Sequence, residues 1–369
     1  MSQLPADSLR WAQIQRVLIY RLGSLGDTVV SLPCLHQIAR TFPNAERRLL
    51  TNLPVHAKAA AAASILDDAG LIHDYIDYPV GMRKPREVLA VRKAIRNFRP
   101  QVLIYLSSLR GYRNAQRDKI FFRLCGIPEL IGFPQSRQDC ERRQMPDSEM
   151  PDSGYLQPEA ERLAQSIRSL GPIQLDDPSN WDLRLTPAEI SRADNLAANL
   201  GKGPLLAVCL GTKVQANDWE EANWTALLAR MAHHFPDHKL LLIGAAEEAA
   251  LSERAAIAWK GRSLNLCGVM SPRESAAAIR SARLFLGHDS GPMHLAVAAG
   301  VPCLAIFSAR NLPRIWFPYG RQHSVIYHRT DCAGCALETC IEQRKKCILS
   351  NSVQEVFKEA VAQLEAGVF

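Results

Sequence analysis

Two short stretches of this 369-residue chain hold residue types that group-transfer chemistry needs. The first is Arg21 to Asp27, RLGSLGD, which follows the apolar, β-branched run Arg16 to Tyr20. Such a run suits a strand buried on both faces, so Gly23, Ser24, Leu25 and Gly26 fall at its carboxyl end, where open α/β sheets bind ligands. The spacing is not G-x-G-x-x-G, which disfavours a nicotinamide cofactor. Asp27 opens the following helix. Taken alone, an Asp there is more often a cap or a first-turn acid favoured by the helix dipole. At a ligand-facing sheet edge it can also serve as a general base.

The second stretch is Gly287-His288-Asp289-Ser290-Gly291-Pro292-Met293-His294, after the strand Leu284 to Leu286. Pro292 suits the first helical position, and Ser290 or Gly291 the cap. A turn of small residues leaves the helix N–H groups open to an anion, above all a diphosphate. Asp289 would repel a phosphate and is better suited to sugar hydroxyls. The competing reading is an ordinary capped core helix with His294 turned inward.

The elements that must position these residues alternate in type. Arg47 to Thr51, Ile72 to Tyr75 and Val102 to Leu106 read as strands, with helical stretches at Thr28 to Phe42, Val55 to Ala69 and Pro85 to Phe98. After a proline-rich segment, Gln144 to Pro187, the rhythm resumes. Strands are expected at Leu205 to Leu210, Lys239 to Ile243, Arg283 to Leu286 and Cys303 to Phe307. Helices are expected at Glu221 to Phe235, Glu247 to Trp259 and Pro272 to Ser281, and from near Pro292. The fold class is therefore α/β, two doubly wound units in series. The expected division is 1–180, 181–350 and a C-terminal helix in 351–369. That helix opens with the capping box Ser352-x-x-Glu355 and could pack back on the N-terminal domain.

Composition narrows the function. Hydrophobic residues make up 47% and charged residues 22%, which argues against disorder. No apolar run approaches a membrane span, and the N-terminus lacks the pattern of a signal peptide, so a cytoplasmic location is expected. The net charge of +7 is unevenly placed: Gly81 to Arg143 holds 15 Lys/Arg against 5 Asp/Glu, leaving about −3 elsewhere. Solvated helix faces would account for this; so would a surface for a phosphorylated substrate or an anionic membrane. No nucleic-acid-binding module accompanies the charge, so nucleic acid is not an expected partner. Six of the ten cysteines are scattered; the others form Cys332-x2-Cys335-x4-Cys340-x6-Cys347. Structural zinc suits that spacing in a reducing compartment, with free thiols or adventitious disulfides as the alternatives.

RLGSLGDTVVSLPCLHQI, GTKVQANDWEEANWTALL, LGHDSGPMHLAVAAGVPCLAIF and RIWFPYG, in this order and spacing, resemble glycosyltransferase family 9, the bacterial lipopolysaccharide heptosyltransferases. The resemblance implies a GT-B fold, two Rossmann-like domains facing a central cleft. The C-terminal domain would hold a donor such as ADP-heptose, and the N-terminal domain an anionic glycolipid acceptor. Asp27 matches the proposed catalytic base, and Lys213 could neutralise the leaving diphosphate. The donor side would comprise Gly26, Thr212, Lys213, Asp289, Ser290, Gly291, Pro292, Met293 and His294, with Glu247 or Glu248 on the ribose. The acceptor side would draw on Arg21, Ser24, Arg110, Arg113 and Arg117.

One departure stands out. Many family members carry a second Lys two residues ahead of a Trp; here Asn217 precedes Asp218 and Trp219. Restoring that lysine, Asn217→Lys, would on this reading leave diphosphate binding unchanged or tighter. The implied reaction is inverting, with no cofactor required for catalysis, on the cytoplasmic face of the inner membrane with peripheral contact to it. The rival readings are transfer from another nucleotide sugar, a nucleotide-sugar epimerase, and a degenerate binding protein without catalysis.

Overall fold

The computed structural model describes residues 11–52, 62–79, 81, 84–145 and 155–366. The chain divides into two compact units, Met1–Gln144 with Glu159–Arg184, and Met145–Pro158 with Leu185–Phe369.

The first unit is built on β1 (Arg16–Tyr20), β2 (Glu46–Thr51), β3 (Asp74–Asp77), β4 (Val102–Tyr105) and β5 (Glu129–Ile131). All pair in parallel in the order β3-β2-β1-β4-β5. Its helices are α1 (Leu25–Val30), α2 (Leu32–Thr41), the single turn α3 (Ala63–Leu66), α4 (Pro85–Phe98), α5 (Tyr112–Leu124) and α6 (Glu159–Ser166). The strands read as apolar runs because both faces are covered, and the residues of β1 from Val17 onward are buried. After β1 the chain moves outward to β3, then returns to the other side of β1 as β4. The order reverses between β1 and β4, and the loops at their carboxyl ends lie where open α/β sheets bind ligands.

The second unit repeats the plan with α7 (Pro187–Ala197), β6 (Leu205–Cys209), α8 (Glu221–His234), β7 (Lys239–Leu242), α9 (Ala249–Ala255) and β8 (Ser263–Asn265). Then follow α10 (Pro272–Ile279), β9 (Ala282–His288), α11 (Gly291–Ala298), β10 (Cys303–Phe307), β11 (Ser324–Tyr327), α12 (Lys346–Leu349) and α13 (Val353–Glu365). The strand order is β8-β7-β6-β9-β10-β11, again all parallel. Alternate strand residues feed two cores. Leu206, Val208, Leu240 and Leu242 face Trp219, Trp224 and Trp259, whereas Ala207, Cys209, Leu241 and Ile243 face Ala277, Met293 and Ala296.

Several expectations need correction. The helix expected from Thr28 to Phe42 is two helices that meet at Ser31, whose hydroxyl donates to Thr28 O at 2.7 Å. Pro33 has no N–H to continue a ladder across that point. The third strand starts at Asp74, not Ile72: Leu71 and Ile72 are buried, but the pairing with β2 begins at Arg48↔Asp74. Of the helix expected over Val55 to Ala69, residues 53–61 lie outside those described. The three-residue strands β5 and β8 are too short for a visible period. The C-terminal helix α13 packs into the core of the second unit. Its Val356 and Ala360 enter the core beside Trp219 and Ile348 because its apolar stripe matches α8 and the sheet there.

Candidate functional site

In the first unit the β1–α1 turn is held from below by a buried charge cluster. Arg21, 3% exposed, donates from Nε and Nη2 to the Asp27 carbonyl at 3.2 and 3.0 Å, and from Nη2 to Asp27 Oδ1 at 3.3 Å. Its Nη1 reaches Leu106 O at 3.0 Å and Glu159 Oε1 at 3.3 Å, which ties the loops after β1 and β4 to α6. Glu159, 1% exposed, also accepts from Arg142 at 2.6 Å and from Arg162 at 2.7 Å. Burial by itself would raise the Glu159 carboxyl, but Arg162, Arg21 and Arg142 outweigh it and hold it down to about 2. Arg162 is its neighbour on the helix, but nothing local marks the contact with Arg21, which lies 138 residues away in the chain.

Asp27 is both a capping residue and an accessible carboxylate. Its Oδ2 accepts from Ser24 N at 2.9 Å and Ser24 Oγ at 3.1 Å, as the third residue of α1. Its side chain remains 23% exposed at the carboxyl edge of the sheet. Gly23 is required here: at φ +148° a Cβ would come within 2.3 Å of Asp27 Cβ and Cγ. Gly26 is buried under the same turn. Across the edge, Arg110 in the loop after β4 donates to the Tyr20 hydroxyl at 3.2 Å. Arg113 and Arg117 lie exposed on α5, and Arg117 pairs with Asp118 at 2.8 Å.

In the second unit the reversal falls between β6 and β9, and their loops carry the second constellation. Thr212 and the exposed Lys213 follow β6; Lys213 makes no hydrogen bond or ion pair among the described residues. Asp289 follows β9, and its Oδ2 accepts from Asn311 at 3.3 Å. Ser290 caps α11, Gly291 is the first helical residue and Pro292 the second, one place later than expected. The Ser290 hydroxyl is buried without a hydrogen-bond partner. Met293 is fully buried in the core below, so only its backbone is left for a ligand. His294 is 5% exposed, with its ring edge-on to Trp316 at 6.4 Å.

The structure separates the two glutamates. Glu248 lies against two glycines: a Cβ on Gly211 would fall 1.8–2.2 Å from its carboxylate, and one on Gly244 2.2 Å from Oε2. Its Oε2 accepts from Ala245 N at 2.9 Å. Glu247 is exposed beside it. The residue at the place of the family's second lysine is not a surface position. Asn217 is 2% exposed, donates to Asp289 O at 3.2 Å and accepts from Ser308 Oγ at 2.6 Å. A lysine does meet this stretch from elsewhere: Lys345 Nζ contacts Asp218 O at 3.0 Å and Glu220 Oε1 at 3.0 Å.

The zinc expectation for Cys332, Cys335, Cys340 and Cys347 is not met. Among the described residues no three His, Cys, Asp or Glu side chains gather as metal ligands. Cys340 and Cys347 are buried, Cys332 is half-buried and Cys335 faces solvent, and all four are free thiols. No described helix is long and apolar enough to cross a membrane.

A family model for glycosyltransferase family 9 (heptosyltransferase) matches residues 120–346, more than half of the sequence. The chain belongs to that family and is a glycosyltransferase. Lipopolysaccharide heptosyltransferase 1 of Pseudomonas aeruginosa is 26% identical over 350 residues, covering 89% of this chain and 88% of that protein. Among solved structures, a family 9 glycosyl transferase from Veillonella parvula aligns with TM-score 0.70 at 15% identity, covering 99% of this chain and all of that one. The E. coli heptosyltransferase WaaC, solved with ADP-2-deoxy-2-fluoro heptose, aligns with TM-score 0.62 at 17% identity over 95% of this chain and 99% of that one. The two doubly wound units are those of the GT-B fold.

Proposed function

We propose that the protein transfers heptose from ADP-heptose to a hydroxyl of a lipopolysaccharide-core acceptor, with inversion. The observation that carries this reading is Asp27: a carboxylate fixed by Arg21 and Ser24 at the sheet reversal, yet still open on one side. Asp27 takes the proton of the acceptor hydroxyl while that oxygen forms its bond to the anomeric carbon. The bond from that carbon to the phosphate oxygen breaks, and its electron pair leaves with ADP. Lys213 and the N–H groups opening α11 receive the diphosphate charge, which is the part a metal ion would otherwise play. Asp289, with its carboxylate beside Asn311, suits the hydroxyls of the donor sugar. On this reading Glu248 accepts from the ribose hydroxyls. An acceptor with a lipid anchor also requires the enzyme to work at a membrane surface. The relatives support the donor and the acceptor class, since one is named a lipopolysaccharide heptosyltransferase and another was solved with an ADP-heptose analogue.

Asp27→Asn tests the base. It keeps an oxygen for Ser24 but cannot take a proton, so turnover should fall by orders of magnitude while ADP affinity stays near that of the wild type. If activity per folded molecule survives and only the melting temperature drops, Asp27 is a cap and not the base.

A further inference from the structure

The basic segment Gly81 to Arg143 contributes Arg110 to the site edge, but most of its charge lies on α4 and α5. These helices carry eight Lys/Arg against Glu87 and Asp118. Asp118 is buried, accepting from Tyr105 and pairing with Arg117, and Glu87 lies near Lys84, so the two acids offset only a small part of the outer charge. Val91, Ile95 and Phe98 of α4 and Phe122 of α5 point into the core. The opposite faces are mixed in a regular way. Leu89, Arg92, Lys93 and Arg96 recur at helical spacing on α4, as do Arg113, Arg117, Ile120 and Leu124 on α5. Arg92 joins the two helices by donating to Leu124 O at 3.3 Å.

Leu89, Ile120 and Leu124 are 60%, 61% and 64% exposed. They are three of the seven large hydrophobics found exposed among the described residues, so the face is not a random scatter. Aliphatic side chains set among cations suit the boundary of an anionic bilayer, where the chains enter the headgroup layer and the cations meet phosphate. Single-stranded nucleic acid would instead call for aromatic platforms on the exposed face. A second copy of this chain would set this cationic face against itself in a two-fold contact, which like charges oppose.

We propose that the outer face of α4 and α5 docks peripherally on an anionic lipid bilayer. This deepens, and rests on, the reading that the acceptor is a glycolipid. The helix rise puts Ile120 and Leu124 about 12–18 Å from the start of α5, beside the loop that carries Arg110. A lipid lying under this face can therefore extend its sugar head to the site edge.

The full chain would be floated with phosphatidylcholine vesicles, with and without phosphatidylglycerol. The wild type should partition onto the anionic vesicles, less so as salt rises, and not onto phosphatidylcholine alone. The triple variant Leu89→Ser/Ile120→Ser/Leu124→Ser and the double variant Lys93→Ala/Arg96→Ala should each lose roughly tenfold or more of that partition. Both should keep wild-type turnover on a delipidated core oligosaccharide. Wild type that stays with the aqueous phase, or a triple variant that floats equally well, overturns the proposal. So does a wild-type dimer in solution that the triple variant abolishes, because the face would then be a self-contact. Vesicle binding without any transfer from ADP-heptose to core oligosaccharide would instead refute the transfer reading and leave the docking face standing.

Discussion

Lys213 and Asn217 lie four residues apart and respond to opposite logic. Lys213 is exposed and unpaired among the described residues, so its charge is available to a diphosphate. A charge-assisted contact of this kind contributes about 1.5–3 kcal/mol. Lys213→Ala should weaken ADP binding by roughly ten- to a hundredfold and leave adenosine unaffected, measured by calorimetry. For Asn217→Lys the buried position of Asn217 leads to a different prediction from the unchanged or tighter binding expected from sequence. It would bury an ammonium and remove the contacts to Asp289 O and Ser308. The loss of stability should be on the order of 3 kcal/mol, read from denaturant unfolding, with ADP affinity lowered and not raised. Asp27 and Asp289 were legible because each stands next to a glycine turn at the end of an apolar run. Glu159 was not, since it meets Arg21 across 138 residues.

At the scale of elements, the loop after β6 and the turn after β7 are fitted to each other by an absence. Gly211 and Gly244 leave the space that the Glu248 carboxylate occupies. Gly211→Ala should displace Glu248 from its contact with Ala245 N and disturb the nucleoside side of the donor site. Binding of ADP and of adenosine should then fall together, unlike in Lys213→Ala. Glu247→Gln, on an exposed side chain, should change neither. Equal adenosine affinity in Gly211→Ala and wild type would remove Glu248 from the ribose. The sequence placed both glutamates after the strand Lys239–Leu242, as the structure does. It could not choose between them, because one residue along a tight turn swaps the inward direction for the outward one.

For the molecule as a whole, acid should act in stages. Burial lowers His288 and His323 from the usual histidine range to about 4. A histidine held neutral in the folded state binds its proton more readily when unfolded. Stability should therefore begin to fall below about pH 6.5 and go on falling to about pH 4. Glu159 has the carboxylate sign: its contribution is present above about pH 4.5 and is lost as pH falls towards 2. The melting temperature should decline across the first window in wild type. The decline should be shallower in His288→Gln, which keeps an acceptor for Trp219 N without titrating. An identical slope in that variant would show that His288 does not drive the first stage.

The sequence by itself determined the repeated strand–helix order, the two glycine turns at the carboxyl ends of their strands, and the acids and lysine beside them. These are local matters, set by apolar runs, by cap and turn chemistry, and by the side chains next to each turn in the chain. Strand order, and with it the sheet reversals that bring the loop after β6 beside that after β9, belongs to the tertiary structure. So do the inward turn of Asn217, the cradle of Glu248 and the Arg21–Glu159–Arg162 cluster. The four C-terminal cysteines make the same point in reverse, since metal-like spacing along the chain is not matched by three gathered ligand side chains among the described residues. Burial and partnership depend on residues distant in sequence, and no local pattern encodes which distant residue will arrive.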